Sequence, residues 1–298
     1  MDQREGQGAG ARVATEAPDR QAERAAARRA RALRGGGIAA ASTIVVLGAL
    51  AVLIFTSPGW PVVRESFFDA SEFSETFPDV LKAFWLDIRV FCIVEVVVLI
   101  LGLAIAIIRT ARGPALFPLR MLAVVFTDVF RGIPVILLVY LIGFGVPALA
   151  QGESAEGSQP LDWLPTEPVV LGGFALALAY SAYVAEVYRA GINSIHRGQR
   201  DAALAVGLTE GQALRHVIVP QAIRRIGPPL LNDFIALQKD VALLAIIGVT
   251  GEAFRTAQIE TASRFDYTPL VAAALLYLCI TIPLARILDR WGFAERAR

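Results

Sequence analysis

Apolar and polar residues alternate along this chain in long blocks rather than in short periods. Six apolar blocks are legible, at about Ile38–Thr56, Ile88–Ile108, within Phe117–Leu149, Val169–Ala185, Ile226–Val249 and Leu270–Ile287. A helix needs about 20 apolar residues to cross the hydrocarbon core of a bilayer. The first, second, fourth and sixth blocks satisfy this comfortably or nearly so. Arg131 and Pro134 interrupt the third; Asn232, Asp233, Lys239 and Asp240 interrupt the fifth. Those two blocks are expected to face protein or water rather than lipid. The pattern predicts an all-α polytopic membrane protein of about six transmembrane helices.

Basic residues orient the blocks, because cytoplasmic flanks concentrate Lys and Arg. The N-terminal tail carries eight arginines, from Arg4 to Arg34. The segment after the second block carries Arg109, Arg112 and Arg120, and the one after the fourth carries Arg189, Arg197, Arg200, Arg215, Arg224 and Arg225. Arg286, Arg290, Arg296 and Arg298 mark the C-terminus. The intervening segments are acidic. Residues 57–87 hold Glu65, Asp69, Glu72, Glu75, Asp79 and Asp87 against Arg64 and Lys82, and residues 150–168 hold four acids and no base. Six spans with both termini cytosolic satisfy every segment.

The expected organisation is a cytosolic Ala/Arg-rich tail over residues 1–37, disordered or weakly helical, then an anchor over 38–56. An extracytoplasmic acidic segment over 57–87 precedes a transmembrane domain over 88–290. A cytosolic C-terminus occupies 291–298. Arg28-Arg29 faintly resembles a twin-arginine leader, but Gly35-Gly36-Gly37 and the lack of a small-residue cleavage site after Thr56 favour an anchor.

Composition narrows the function. The chain is 55% hydrophobic and 18% charged, with mean hydropathy +0.56. A net charge of +1 and the lack of a basic stripe interleaved with aromatics argue against a nucleic-acid partner. Cys92 and Cys279 fall inside apolar blocks, so a disulfide framework is not expected. Two histidines and no Cys/His spacing predict no metal site. No nucleophile–base constellation is legible, so no catalytic residue is assigned.

The polar segment between the fourth and fifth blocks carries the most information. Gln199 to Val206 is rich in Ala and Leu, good helix formers. Gly207 follows where a helix end favours a left-handed residue. Thr209 and Gln212 fit a capping box that starts a second helix, and Pro220 is expected to end or kink it. On the first helix, Ala202, Ala203 and Val206 leave one face nearly flat, with Asp201 near the N-terminus where a carboxylate complements the helix dipole. Such a helix either lies on the membrane surface or docks in a partner's groove. Surface helices carry bulky apolar anchors, and this one has none, which favours docking.

Asp201-Ala202-Ala203, three residues, Gly207, nine residues, then Val217-Ile218-Val219-Pro220 resembles the EAA loop of ABC importer permeases. Asp replaces the usual Glu, and Val replaces the usual Ile and Leu. Glu186-Val187-Tyr188-Arg189-Ala190-Gly191-Ile192, Pro220-Gln221-Ala222-Ile223-Arg224-Arg225, Pro228-Pro229-Leu230-Leu231-Asn232, Phe234-Ile235-Ala236-Leu237-Gln238-Lys239-Asp240 and Phe130-Arg131-Gly132-Ile133-Pro134 are similar to polar amino-acid permeases of the histidine/glutamine type. The resemblance covers roughly residues 80–290. It implies a five-helix permease core with an additional N-terminal span. It implies a coupling loop over 187–225 in which Asp201, Ala202, Ala203, Gly207 and Pro220 engage an ABC-type ATPase. It also implies a second permease subunit, identical or related, and an extracytoplasmic amino-acid-binding protein. The chain lacks a GxxxxGK[ST] phosphate loop, so ATP would be bound by the partner subunit and no cofactor is expected here.

Ionisable residues inside the apolar blocks are candidates for the substrate pathway. Glu95 either contacts a substrate amino group or fixes packing through an internal pair. Arg131 pairs with Asp128 one turn away or with a carboxylate on another helix, and Gly132 and Pro134 predict a kink. Lys239 and Asp240 point about 100° apart on a helix, so at most one faces a pore squarely. Glu95, Arg131 and Lys239 are the pathway candidates. A gradient-driven transporter or channel with no ATPase, and a membrane scaffold, are the competing classes. The acidic segment 57–87 either receives the binding protein or is a plain solvated loop.

Overall fold

The computed structural model describes residues 35–111, 113–151 and 163–296. The Arg-rich tail over 1–34, Arg112, most of the acidic segment between 150 and 168, and Arg298 lie outside the described residues. The described chain is helical, with no strand. It divides into two units, residues 1–65 and residues 66–298.

In the first unit, α1 runs Gly35–Phe55 and is long and apolar enough to cross a membrane. Phe55 meets Trp60 edge-on, with ring centroids 4.5 Å apart. Trp60 opens α2, Trp60–Phe67.

The second unit is built around α6, Pro168–Asn193. Around it lie α3 (Ala70–Thr110), α4 (Phe117–Gly132), α5 (Val135–Gln151) and α9 (Val219–Asp240). A 3-10 turn, Val241–Ile247, also packs on it. The buried face of α6 is rich in small residues, among them Gly172, Ala175, Ala179, Ala182, Ala185 and Gly191. Small residues let helix backbones approach closely, and the geometry uses that here. A Cβ on Gly191 would stand 2.1 Å from Ile226 of α9, and one on Gly172 would stand 2.8 Å from Leu244 of the 3-10 turn. From α3, a Cβ on Gly102 would reach Val184 of α6 at 2.8 Å. Leu176, Val184, Val98, Leu237 and Leu244 fill the space between.

Three sequence expectations change. First, α3 begins at Ala70, not near Ile88, and runs 41 residues. At 1.5 Å per residue it is roughly 60 Å long, about twice the hydrocarbon thickness. Most of the segment 57–87 is therefore helix rather than loop. Asp69 caps α3 by accepting from the backbone of Ser71 (2.7 Å) and Glu72 (3.2 Å). Arg264 of α10 (Ala253–Arg264) ties down the first turns of α3 by donating to Glu72 (3.0 Å) and Glu75 (2.7 Å).

Second, the third block is a broken pair. The axes of α4 and α5 meet at 105°. Pro134 removes an N–H and restricts the preceding residue. Ile133 accordingly sits extended, at φ −94 and ψ 130, and α5 restarts with Leu137 and Leu138 donating to the Pro134 carbonyl.

Third, the block at Ile226–Val249 lies across the end of α9 and the 3-10 turn, which Gly248 closes with φ +78. This block is not among the helices apolar enough to span by themselves; among the described residues four are, or five if the bent pair counts as one. The polar residues of α9 are the reason.

Helix α10 was not anticipated. It packs against α3 and α11 (Thr268–Arg296) through Ala253 and Ala257, beside Val80, Phe84 and Leu276.

Candidate functional site: an exposed helix and a polar groove

The α6 helix ends at Asn193, and the chain turns through Ser194 and Ile195. Ile195 is buried against Ala222 and Ile226. His196 then caps α7, Arg197–Ala205, by accepting from the Gly198 amide at 3.1 Å. After α7 the chain reverses at Gly207, whose φ of +89 only glycine adopts without strain. Gly207 and Leu208 donate to the carbonyls of Leu204 and Ala203, closing the helix end. Thr209 and Gln212 form the capping box that the sequence predicts and open α8, Glu210–Ala213.

Pro220 does not end this second helix. A π-turn, Leu214–Ile218, follows α8 and leads straight into α9. Val219 donates to Leu214, one residue further back than in an α-helix. Pro220 thus enters within the first turn of α9, where its missing N–H costs little.

Almost all of α7 is open to solvent. Asp201, Ala202, Ala205 and Val206 are exposed, Val206 by 79%. Ala203 is the exception. It is 5% exposed and turns inward, so it does not share the free face with Ala202 and Val206. Arg200 donates to both oxygens of Glu210, at 2.9 and 2.6 Å, bracing α7 against α8.

The motif residues at the end of α6 have separate structural roles. Glu186 is the meeting point of three helices. It accepts from Arg109 of α3 (2.8 Å) and from Arg189 of its own helix, and Arg131 of α4 lies 3.9 Å away. Arg131 therefore pairs with another helix rather than with Asp128, and its guanidinium lies over the Tyr183 ring at 5.9 Å. Tyr188 faces a groove, and Gly191 permits the α9 crossing.

That groove is a concave feature beside one of the charged residues of the spans. Its volume is about 440 Å³, and Glu95, Leu99, Tyr188, Ile226, Leu230 and Phe234 are among its lining residues. Glu95 is half-buried there rather than enclosed. Lys239 and Arg131 do not line the groove. Lys239 is exposed, while its neighbour Asp240 turns inward and accepts from the Tyr180 hydroxyl at 2.7 Å. One residue of the Lys-Asp pair thus faces outward and the other is held by α6.

Sequence reasoning missed a buried polar group. Asp87 and Glu252 are 2% and 0% exposed, and both lie within hydrogen-bonding distance of the Tyr277 hydroxyl, at 2.9 and 3.3 Å. Glu252 caps α10 by accepting from the amides of Phe254 and Arg255. A signal for Asp87 exists. Val80, Ala83, Phe84, Asp87, Val90, Phe91 and Val94 recur at helical spacing and form the buried stripe of α3. No group of three or more His, Cys, Asp or Glu side chains suited to a metal ion occurs among the described residues.

Comparison with known proteins places this architecture. Residues 99–291 match the family described as binding-protein-dependent transport system inner membrane component. The chain is 32% identical over 220 residues to the arginine transport system permease protein ArtQ of Bacillus subtilis (strain 168), covering 72% of this chain and 93% of that one. It is 35% identical over 193 residues to the glutamine transport system permease protein GlnP of Escherichia coli (strain K12), covering 64% and 81%. Among solved structures, a crystal structure of an amino acid ABC transporter with histidines superposes with a TM-score of 0.64 at 28% identity, over 76% of this chain and 98% of the other. The MetNI methionine ABC transporter shares the fold, at 17% identity and a TM-score of 0.51 over 76% and 99%. The chain belongs to the binding-protein-dependent transport system inner membrane component family and is a multi-pass membrane permease subunit of an ABC importer, within the amino-acid branch.

Proposed function

We propose that this permease carries polar amino acids and that α7 is the helix through which ATP hydrolysis drives it. The observation that carries the reading is the state of α7 itself: a nine-residue helix with one buried side chain, closed by a glycine in the left-handed region. A helix so little packed onto its own chain has its free face available to a partner. Asp201, Ala202 and Val206 lie on the exposed side, and Ala203 and Pro220 shape the support behind it. The partner is an ABC-type ATPase that holds the nucleotide; this chain supplies no catalytic residue and no cofactor. The α7 end is cytosolic, as are both termini. A second permease subunit, identical or related, completes the pathway, and an extracytoplasmic binding protein delivers substrate.

Polar amino acids as cargo are supported by the specificities of the relatives, arginine and glutamine among them. The Glu95 groove offers a carboxylate for a substrate ammonium, and Lys239 and Arg131 offer positive charge elsewhere along the pathway. The test is uptake by proteoliposomes that hold the purified complex with its binding protein. Labelled arginine, glutamine, glutamate and histidine are offered singly. ATP-dependent accumulation of at least one is expected. Accumulation driven by an ion gradient without ATP would overturn the reading in favour of a secondary transporter.

A further inference from the structure

The α7 helix buries a single side chain, Ala203, and yet a helix that transmits force must keep a fixed pose. Burial does not supply that pose. The ties from the α7 helix to the helices beyond it are therefore the ones to weigh. Two pairs of hydrogen-bonded side chains tie α7 to the next elements. Gln221 of α9 meets Gln199 at 3.4 Å, a long contact. Arg200 meets Glu210 at the start of α8 through two parallel short bonds. The second is the fork geometry that gives an Arg–carboxylate pair direction as well as attraction. Glu210 is itself well placed, in the first turn of α8 behind the Thr209–Gln212 capping box.

We infer that the Arg200–Glu210 fork sets the angle of α7 on its support, making these two positioning residues for the coupling of ATP hydrolysis to transport. The inference rests on α7 being the docking helix. Both side chains are largely open in the free chain, 47% and 61% exposed. An exposed pair is screened by water and contributes little. A partner seated over α7 would exclude that water and strengthen the same pair. Docking and fixing of the pose would then reinforce each other. Asp201, the next residue, is left free for the partner, because Arg200 is committed to its own chain.

The experiment has two readouts on the same variants, Arg200→Ala, Glu210→Ala and the exchange R200E/E210R. The first is amide hydrogen exchange over residues 197–208 of the detergent-solubilised permease, which needs no ATPase. Each single variant is expected to speed exchange across α7 while the amides of α6 stay at wild-type rates, and the exchange variant is expected to slow it again. The second is substrate moved per ATP hydrolysed by the reconstituted complex. The single variants are expected to lower that ratio roughly fivefold with the ATPase still bound, and the exchange variant to recover much of the loss. Unchanged α7 exchange in both single variants, or an exchange variant no better than they are, overturns the inference. Faster α7 exchange with an unaltered transport ratio overturns the positioning role. A wild-type complex without an ATPase would instead defeat the docking reading, whatever the exchange data show.

Discussion

Helices α6 and α7 are separated by three residues and are held in place by opposite means. The first is fixed by burial. Its face of glycine and alanine lets α3, α9 and the 3-10 turn approach so closely that single Cβ atoms would collide. The second is fixed by its ends and by polar ties: a histidine cap, a glycine reversal, a long contact to Gln221 and one ion-pair fork to the capped start of α8. One buried methyl is worth only about 0.8 kcal/mol. The contrast teaches that in this chain the deeply packed helix and the exposed one proposed to dock are adjacent but energetically distinct. A substitution that breaks one need not touch the other.

That separation can be attacked from either side. The largest loss of stability is expected at the α6–α9 crossing. Gly191→Val places a branched side chain against Ile226, and overpacking of this kind costs about 1–3 kcal/mol or more. Thermal unfolding in detergent should show the loss, and adding Ile226→Ala should recover part of it. If Gly191→Val unfolds at the wild-type temperature, the crossing is not as tight as described.

Next in size is the polar group at α3, α10 and α11. Tyr277→Phe removes the hydroxyl shared by Asp87 and Glu252 and leaves Asp87 Oδ2 with only the long 3.4 Å bond from the Ala253 amide among the described residues, at a cost of about 1–3 kcal/mol. The same unfolding assay checks it. Retention of full stability would mean that the backbone amides of Ala253, Phe254 and Arg255 satisfy these carboxylates without the hydroxyl.

Smaller still is Thr209→Ala. Losing the cap of α8 should cost about 1 kcal/mol, and hydrogen exchange of the Gln212 and Ala213 amides should rise first. An effect spread evenly over the second unit would argue against a local role for this cap. The smallest effect on stability, within roughly 0.5 kcal/mol, is expected for Asp201→Ala on the exposed face of α7. On the proposed docking role of this residue, transport should nevertheless fall. A variant with both stability and transport intact would remove Asp201 from the docking face.

How much of this was visible in the sequence follows the same divide. The α7–Gly207–α8 sequence was legible because caps and turns are local chemistry. Gly207, Thr209 and Gln212 each do what their side chains dictate within three or four residues. The break at Pro134 was legible for the same reason, though its 105° size was not. Pro220 was misread because a π-turn absorbs it, and nothing in the local residues announces a π-turn. The length of α3 was misread because hydropathy averages over both faces. The acids of 57–87 hid the stripe of Val80, Phe84 and Asp87 that packs on α10 and α11. Ala203 was placed on the wrong face because alanine suits either. Glu95, Arg131 and Lys239 were recognisable as costly charges, but their separate surroundings depend on how distant helices cross.

The central claim is that α7 seats an ATPase. The most direct measurement is the subunit composition of the complex, purified through a tag on this chain from its native membrane in mild detergent. An ABC-type ATPase at equal stoichiometry with the permease subunits is predicted, and Gly207→Arg should lose it while the permease still unfolds cooperatively at close to the wild-type temperature. A Gly207→Arg complex that keeps its ATPase and its ATP-dependent uptake would contradict the claim. So would a wild-type complex that transports substrate with no nucleotide-hydrolysing partner in any detergent tried.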